Sequence, residues 1–138
     1  MNHFWNKMLG KLFIKEPDRV SVNIERTDVL LMVRLSVNGY RCARIQCLIE
    51  SDSTILIGDI CHNNEAADYN KGYGTQMVKQ LLAYAKEHGY SYIYGNLSEV
   101  DLDHKERLHH FYHKLGFTVT EYPALQGNYY GIIEMHLL

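Results

Sequence analysis

"YNKGYGTQMVKQLLAYAKEHGY", Tyr69–Tyr90, runs from a pair of glycines straight into a segment with helical spacing. Met77, Val78, Leu81, Leu82 and Ala85 fall on one face, and Gly89 follows as a residue able to end the helix. A strand that turns through glycines into a helix aims several unpaired backbone N–H groups at one point, where the helix dipole adds partial positive charge. An anion suits that point. Without a Cβ, Gly72 and Gly74 leave the backbone open to a ligand's oxygens. The loop is neither a Walker loop nor a dinucleotide fingerprint, because GxxxxGK[ST] is absent and Met77 stands where GxGxxG needs its third glycine.

Working outward, "ILIGDICH" (Ile55–His62) precedes the loop as a strand, and Gly58 inside it marks a bulge or a close approach to the backbone. Before it, Val20, Val22 and Ile24 alternate with polar residues, and Val29, Leu31, Val33, Leu35 and Val37 continue an apolar face. Asn38-Gly39 is the dipeptide that best accepts the two positive φ angles of a type I′ turn, so the chain returns through Tyr40–Ile49 as a third strand. After the helix, "YSYIYGNL" reads as a fifth strand. Asp103 and Glu106 have capping-box spacing ahead of a second helix with Leu108, Phe111, Tyr112 and Leu115 as its buried stripe and Gly116 as its stop. Two strands, about 117–122 and 129–137, finish the chain. Phe4, Trp5, Met8, Leu9, Leu12 and Phe13 form the apolar face of a basic amphipathic N-terminal helix closed by Pro17. The expected fold is α+β, with one mixed, mostly antiparallel sheet of six or seven strands flanked by helices.

With 138 residues, 46% apolar and 22% charged, the chain suits one domain over residues 1–138 with a full core. A formal charge of −2 provides no field for a polyanion, so nucleic acid is not an expected partner. Cys42, Cys47 and Cys61, an odd number without CxxC spacing, suit reduced thiols in the cytoplasm. The first residues lack a contiguous apolar stretch and a small-residue cleavage site, so no secretory signal is expected, and Val29–Val33 is the longest apolar run. A membrane partner through residues 4–15 is the less favoured use of a helix whose apolar face can pack on its own sheet. His104, His109, His110 and His113 raise the question of a metal, but HExxH is missing and no metal is expected.

"NKGYGTQMVKQLLAYAKEHGY", followed by a strand and then "HHFYHKLGF", resembles the core of the GNAT superfamily of acyl-CoA-dependent N-acyltransferases. That family carries an (Arg/Gln)xxGx(Gly/Ala) loop on the CoA pyrophosphate and a later Tyr-x-x-x-Gly-Phe, here Tyr112, Gly116 and Phe117. The resemblance covers roughly 55–117. It implies acetyl transfer from acetyl-CoA to a primary amine, by direct attack, on an acceptor it does not identify. Cofactor contacts are implied at Ile60 and Cys61 on the bulged strand and at Tyr69, Asn70, Lys71, Gly72, Tyr73, Gly74 and Thr75 in the loop. Tyr112 stands at the family's general-acid position, while Asp59 and Glu50 are the two candidates for the base. The chain departs from the pattern at Tyr69, where the family has Arg or Gln. It also has only a turn at Thr27-Asp28, where the family places two helices between its first two strands. Those departures favour, as the competing class, a CoA-binding or acyl-CoA-sensing module without turnover. A homodimer is compatible with the apolar N-terminal face or with a late strand pairing between chains.

Overall fold

A computed structural model describes residues 16–63 and 71–137. The expected N-terminal helix, Tyr69 and Asn70 therefore lie outside the described residues.

Alternating side chains build a seven-stranded sheet of order β1-β2-β3-β4-β5-β7-β6. β1 (Val20–Arg26), β2 (Leu30–Val37), β3 (Tyr40–Ile49) and β4 (Thr54–His62) form an antiparallel run. Helix α1 (Tyr73–Glu87) carries the chain across to β5 (Tyr92–Ser98), which pairs parallel to β4. A 3₁₀ turn (Glu99–His104) leads into α2 (Lys105–Lys114), and the antiparallel pair β6 (Thr118–Gln126) and β7 (Tyr129–His136) completes the sheet. The α+β expectation holds.

Asn38 and Gly39 take φ of 52° and 86°, as a type I′ turn between β2 and β3 requires. Between β1 and β2 only Thr27–Val29 intervene, with the Thr27 N–H on the Leu30 carbonyl at 2.9 Å. α1 and α2 share one face of the sheet, where Leu31, Val33, Ile45, Ile55 and Ile93 pack beneath Met77, Val78 and Leu81, all fully buried. Among the described residues no helix covers the opposite face, so Leu48 is 40% exposed there.

The expected capping box at Asp103 and Glu106 is not formed. The 3₁₀ turn occupies that stretch, capped by the Ser98 hydroxyl, which accepts from the Val100 N–H at 3.4 Å. His104 is the residue preceding α2, and Asp103 instead accepts from the His104 ring at 2.8 Å.

Cys47, 1% exposed, has its thiol pushed up from 9.0 to about 12 by burial. A raised folded-state value keeps its stabilisation complete below the unfolded value and loses it as pH rises toward the folded one. Thermal unfolding should therefore show stability falling above about pH 9, with Cys47 contributing about 1.4 kcal/mol per pH unit. Cys47→Ala should flatten that slope; an unchanged slope would remove the thiol from the account.

Candidate active site

β4 and β5 pair only from Thr54–Tyr92 to Ile57–Gly95, and then part. β3 stays paired with β4 as far as His62, and β7 stays with β5 as far as Ser98, so the sheet splits between its two central strands while each keeps its outer neighbour. The irregularity lies where the split begins. Ile60 pairs with Ile45 and Ile57 with Cys47, leaving Gly58 and Asp59 opposite Gln46 alone. The sequence reading of Gly58 as a bulge or a close approach is met on both counts, and the approaching atom is internal: an added Cβ would stand 2.6 Å from the Gln46 carbonyl oxygen.

The split opens a cleft of about 670 Å3 on the helix-bearing face. Gly58, Asp59, Ile60 and His62 line one wall, Asn96–Ser98 the other, and the first turn of α1 and one side of α2 close it. Asp59 is exposed and also borders a second hollow of about 250 Å3, lined largely by side chains that alternate with the core set, such as Gln46, Leu48 and Leu56. Asp59 thus stands where the two hollows meet.

Gly72 precedes α1 with φ 77°, a left-handed conformation that explains its glycine; an added Cβ there would meet nothing. At Gly74 the reason differs from the expected open approach to a ligand, because an added Cβ would lie 3.2 Å from the Phe111 ring. Phe111 covers the space above Gly74. The first helical hydrogen bond runs from the Gln76 N–H to the Gly72 carbonyl, 3.0 Å, so the N–H groups of Gly74 and Thr75 fall outside the helix ladder. No acidic side chain occupies that first turn to neutralise the dipole, and Lys71 stands exposed just before it. Tyr73 is 5% exposed and packs in the core, so only its main chain can serve a ligand.

Tyr112 reaches the cleft from α2 and is 8% exposed. Its ring stands edge-on to Phe111 and Phe117, with centroids 5.1 Å and 5.6 Å away. Among the described residues nothing hydrogen-bonds its hydroxyl. Burial first, and then the charge of Asp101, push the phenol well above its usual range. The match to a departing thiol is therefore poorer than an ordinary tyrosine would give, but the hydroxyl keeps its proton throughout the neutral range. Leu108, Phe111 and Leu115 are half-buried rather than fully buried, and Leu108 and Phe111 line the cleft.

Glu50 is not brought to the cleft. It accepts a 2.7 Å hydrogen bond from the Tyr94 hydroxyl near the opposite end of β4, beside a matching bond from Tyr92 to Glu134. Desolvation and then the glutamate raise Tyr94 to about 12. Periodicity assigns a face to a strand residue, but it does not say how far along the strand the sheet will split.

Sequence reasoning missed several cleft residues. His62 is the most informative, because its Nδ1 is buried without a hydrogen-bond partner, a condition that costs about 1–3 kcal/mol in a folded chain. Counting by twos from Ile60 would have found it on the same face. Asp101, His104 and Arg107 also line the cleft; His104 is held between Asp103 at 2.8 Å and Asp101 at 3.3 Å. Among the described residues no group of three potential metal ligands converges, and no helix is long and apolar enough to cross a membrane.

A family model described as "Acetyltransferase (GNAT) family" matches residues 23–117, more than half of the 138. The chain belongs to that family. The split of β4 from β5 and the glycine-opened helix both lie inside the matched span. Among solved structures, this GNAT acetyltransferase is similar to a GNAT family acetyltransferase from Elizabethkingia anophelis with acetyl-CoA bound, at 14% identity and a TM-score of 0.66, covering 86% of this chain and 98% of that one. It is similar also to an aminoglycoside 6′-N-acetyltransferase complexed with coenzyme A, at 14% identity and a TM-score of 0.64, over 81% of this chain and 75% of that one. A third is the ribosomal-protein-S18-alanine N-acetyltransferase of Escherichia coli, at 17% identity and a TM-score of 0.60, over 81% and 70%. At these identities the shared property is the fold. No curated protein sequence matches the chain.

Proposed function

We propose that this GNAT protein moves the acetyl group of acetyl-CoA to a primary amine by direct attack, working as one domain over residues 1–138. The carrying observation is the split between β4 and β5 at Gly58–Asp59, with Tyr112 on one side of the opening and the first turn of α1 closing it.

The residues fit the cosubstrate. An uncapped, acid-free helix start suits a diphosphate, the main chain of β4 from Gly58 to His62 is unpaired on its β5 side, and a buried ring nitrogen awaits a partner. Gly74 and Thr75 N–H groups, with Lys71, would take the diphosphate, Gly72 and Tyr73 serving through the turn they shape. Ile60 and Cys61 would offer their main chain to the pantetheine arm. Phe111 would move aside from Gly74 or stack on the arm. When bound, acetyl-CoA supplies an acyl carbon activated by its thioester and a thiolate leaving group.

The chain's own groups then divide the proton work. Asp59, reachable from both hollows, accepts a proton from the attacking amine directly or through water. Tyr112 gives its proton to the sulfur as the carbon–sulfur bond breaks. Glu50, held by Tyr94, acts as a structural partner instead of a base. Asp59→Asn should lower kcat about 100-fold and Glu50→Gln by no more than about twofold; steady-state kinetics at saturating acetyl-CoA reads both, and the reverse order would transfer the base to Glu50.

The three free thiols suit a cytoplasmic setting. Amine-dependent release of CoA thiol, followed over a panel of primary amines, tests the reading. CoA binding with no release for any amine would instead favour a binding or sensing module.

A further inference from the structure

Resting on the reading above, we infer that His62 is a coenzyme-binding residue whose Nδ1–H donates to the diphosphate. The end of β4 points this way by its register. Ile60 pairs with Ile45 and His62 with Ala43, both partners buried on the helix-bearing face, whereas Cys61 between them pairs with Arg44. The imidazole therefore projects toward the face that carries α1, and it lines the same cleft as Gly72, Gly74 and Thr75. Asp59 borders that cleft nearer the bulge, three residues before His62 along β4, so His62 stands at the end of the strand away from the reacting centre.

A buried ring nitrogen without a protein partner is an incomplete contact, and His62 holds the one such side-chain atom among the described residues. A ligand that completes it must also suit the helix N–H groups beside it. Those groups only donate, so an acceptor rich in oxygen is required, and a diphosphate accepts from both directions at once. A pantetheine amide or hydroxyl could meet the ring but would leave the helix N–H groups without an anion. The imidazole thus acts as a donor through a hydrogen on Nδ1.

Calorimetric titration with CoA, and separately with pantetheine, which lacks the diphosphate and nucleotide, tests this on the wild type, His62→Phe and His62→Asn. His62→Phe keeps a flat ring and removes the donor; it should weaken CoA about tenfold or more while pantetheine affinity stays within about twofold. His62→Asn, whose amide can donate from near the Nδ1 position, should recover most of the loss. The His62 Nδ1 resonance should move when CoA is added to the wild type and stay in place with pantetheine. Unchanged CoA affinity in His62→Phe, or an equal loss for CoA and pantetheine, would overturn the inference while leaving CoA binding by the wild type intact. Failure of the wild type itself to bind CoA would overturn both this inference and the reading on which it rests.

Discussion

Tyr112→Phe is expected to lower kcat by ~10²–10⁴-fold while leaving CoA affinity and thermal stability close to the wild type. The separation follows from the surroundings of the side chain. The phenylalanine ring reproduces the edge-on contacts with Phe111 and Phe117, so packing is retained. The hydroxyl makes no hydrogen bond within the described residues, so removing it leaves no protein group stranded. What disappears is a proton held in place by burial. Because burial and Asp101 raise the phenol, the wild-type kcat should show no alkaline loss from Tyr112 at pH values where an ordinary tyrosine would ionise, near ~10. Stopped assays of kcat against pH, with circular dichroism and CoA titration on the same preparations, separate these quantities. Undiminished turnover would take Tyr112 out of the mechanism.

Gly74→Val is expected to abolish measurable CoA binding, a loss of ~100-fold or more, with the fold retained. An added Cβ stands 3.2 Å from Phe111, so a branched side chain must drive that ring into the cleft and also cover the N–H groups of the first turn. Two charge-assisted hydrogen bonds of about 1.5–3 kcal/mol each are then at risk. Overpacking at a site where one neighbour can rotate costs about 1–3 kcal/mol of stability. Gly72→Ala makes the useful contrast, because it meets no neighbour and is opposed only by its φ of 77°. It should cost stability more than affinity, whereas Gly74→Val should do the opposite. CoA titration beside thermal unfolding distinguishes them, and normal affinity in Gly74→Val would contradict the assignment of the loop.

The strands were legible because side chains alternate with period two wherever one face is buried, and Asn38-Gly39 marked the β2–β3 turn through its chemistry, placing Val37 opposite Tyr40. α1 was legible from Met77, Val78, Leu81, Leu82 and Ala85, all buried as the helical spacing requires. The 3₁₀ turn was not, since Glu99–His104 has no apolar stripe and buries no residue. For the candidate site, the places close in sequence to the split were readable: the bulge at Gly58 and the glycine-led start of the helix. That Glu50 lies away from the cleft could not be read, because its position relative to the split depends on how far β4 and β5 run together, which is set by the pairing of distant segments. His62 escaped for a related reason, as an orphaned ring nitrogen exists only once a second wall encloses it. The role of Gly74 also needed the fold, because Phe111 is 37 positions away and meets it only after α2 has docked.

A crystal structure of the protein with acetyl-CoA bound would show directly whether the cosubstrate occupies the split. The diphosphate is expected on the N–H groups of Gly74 and Thr75, the pantetheine arm along β4 from His62 to Ile60, and the thioester between Asp59 and Tyr112. A cosubstrate seated outside the split between β4 and β5, or with its diphosphate away from the start of α1, would contradict that placement.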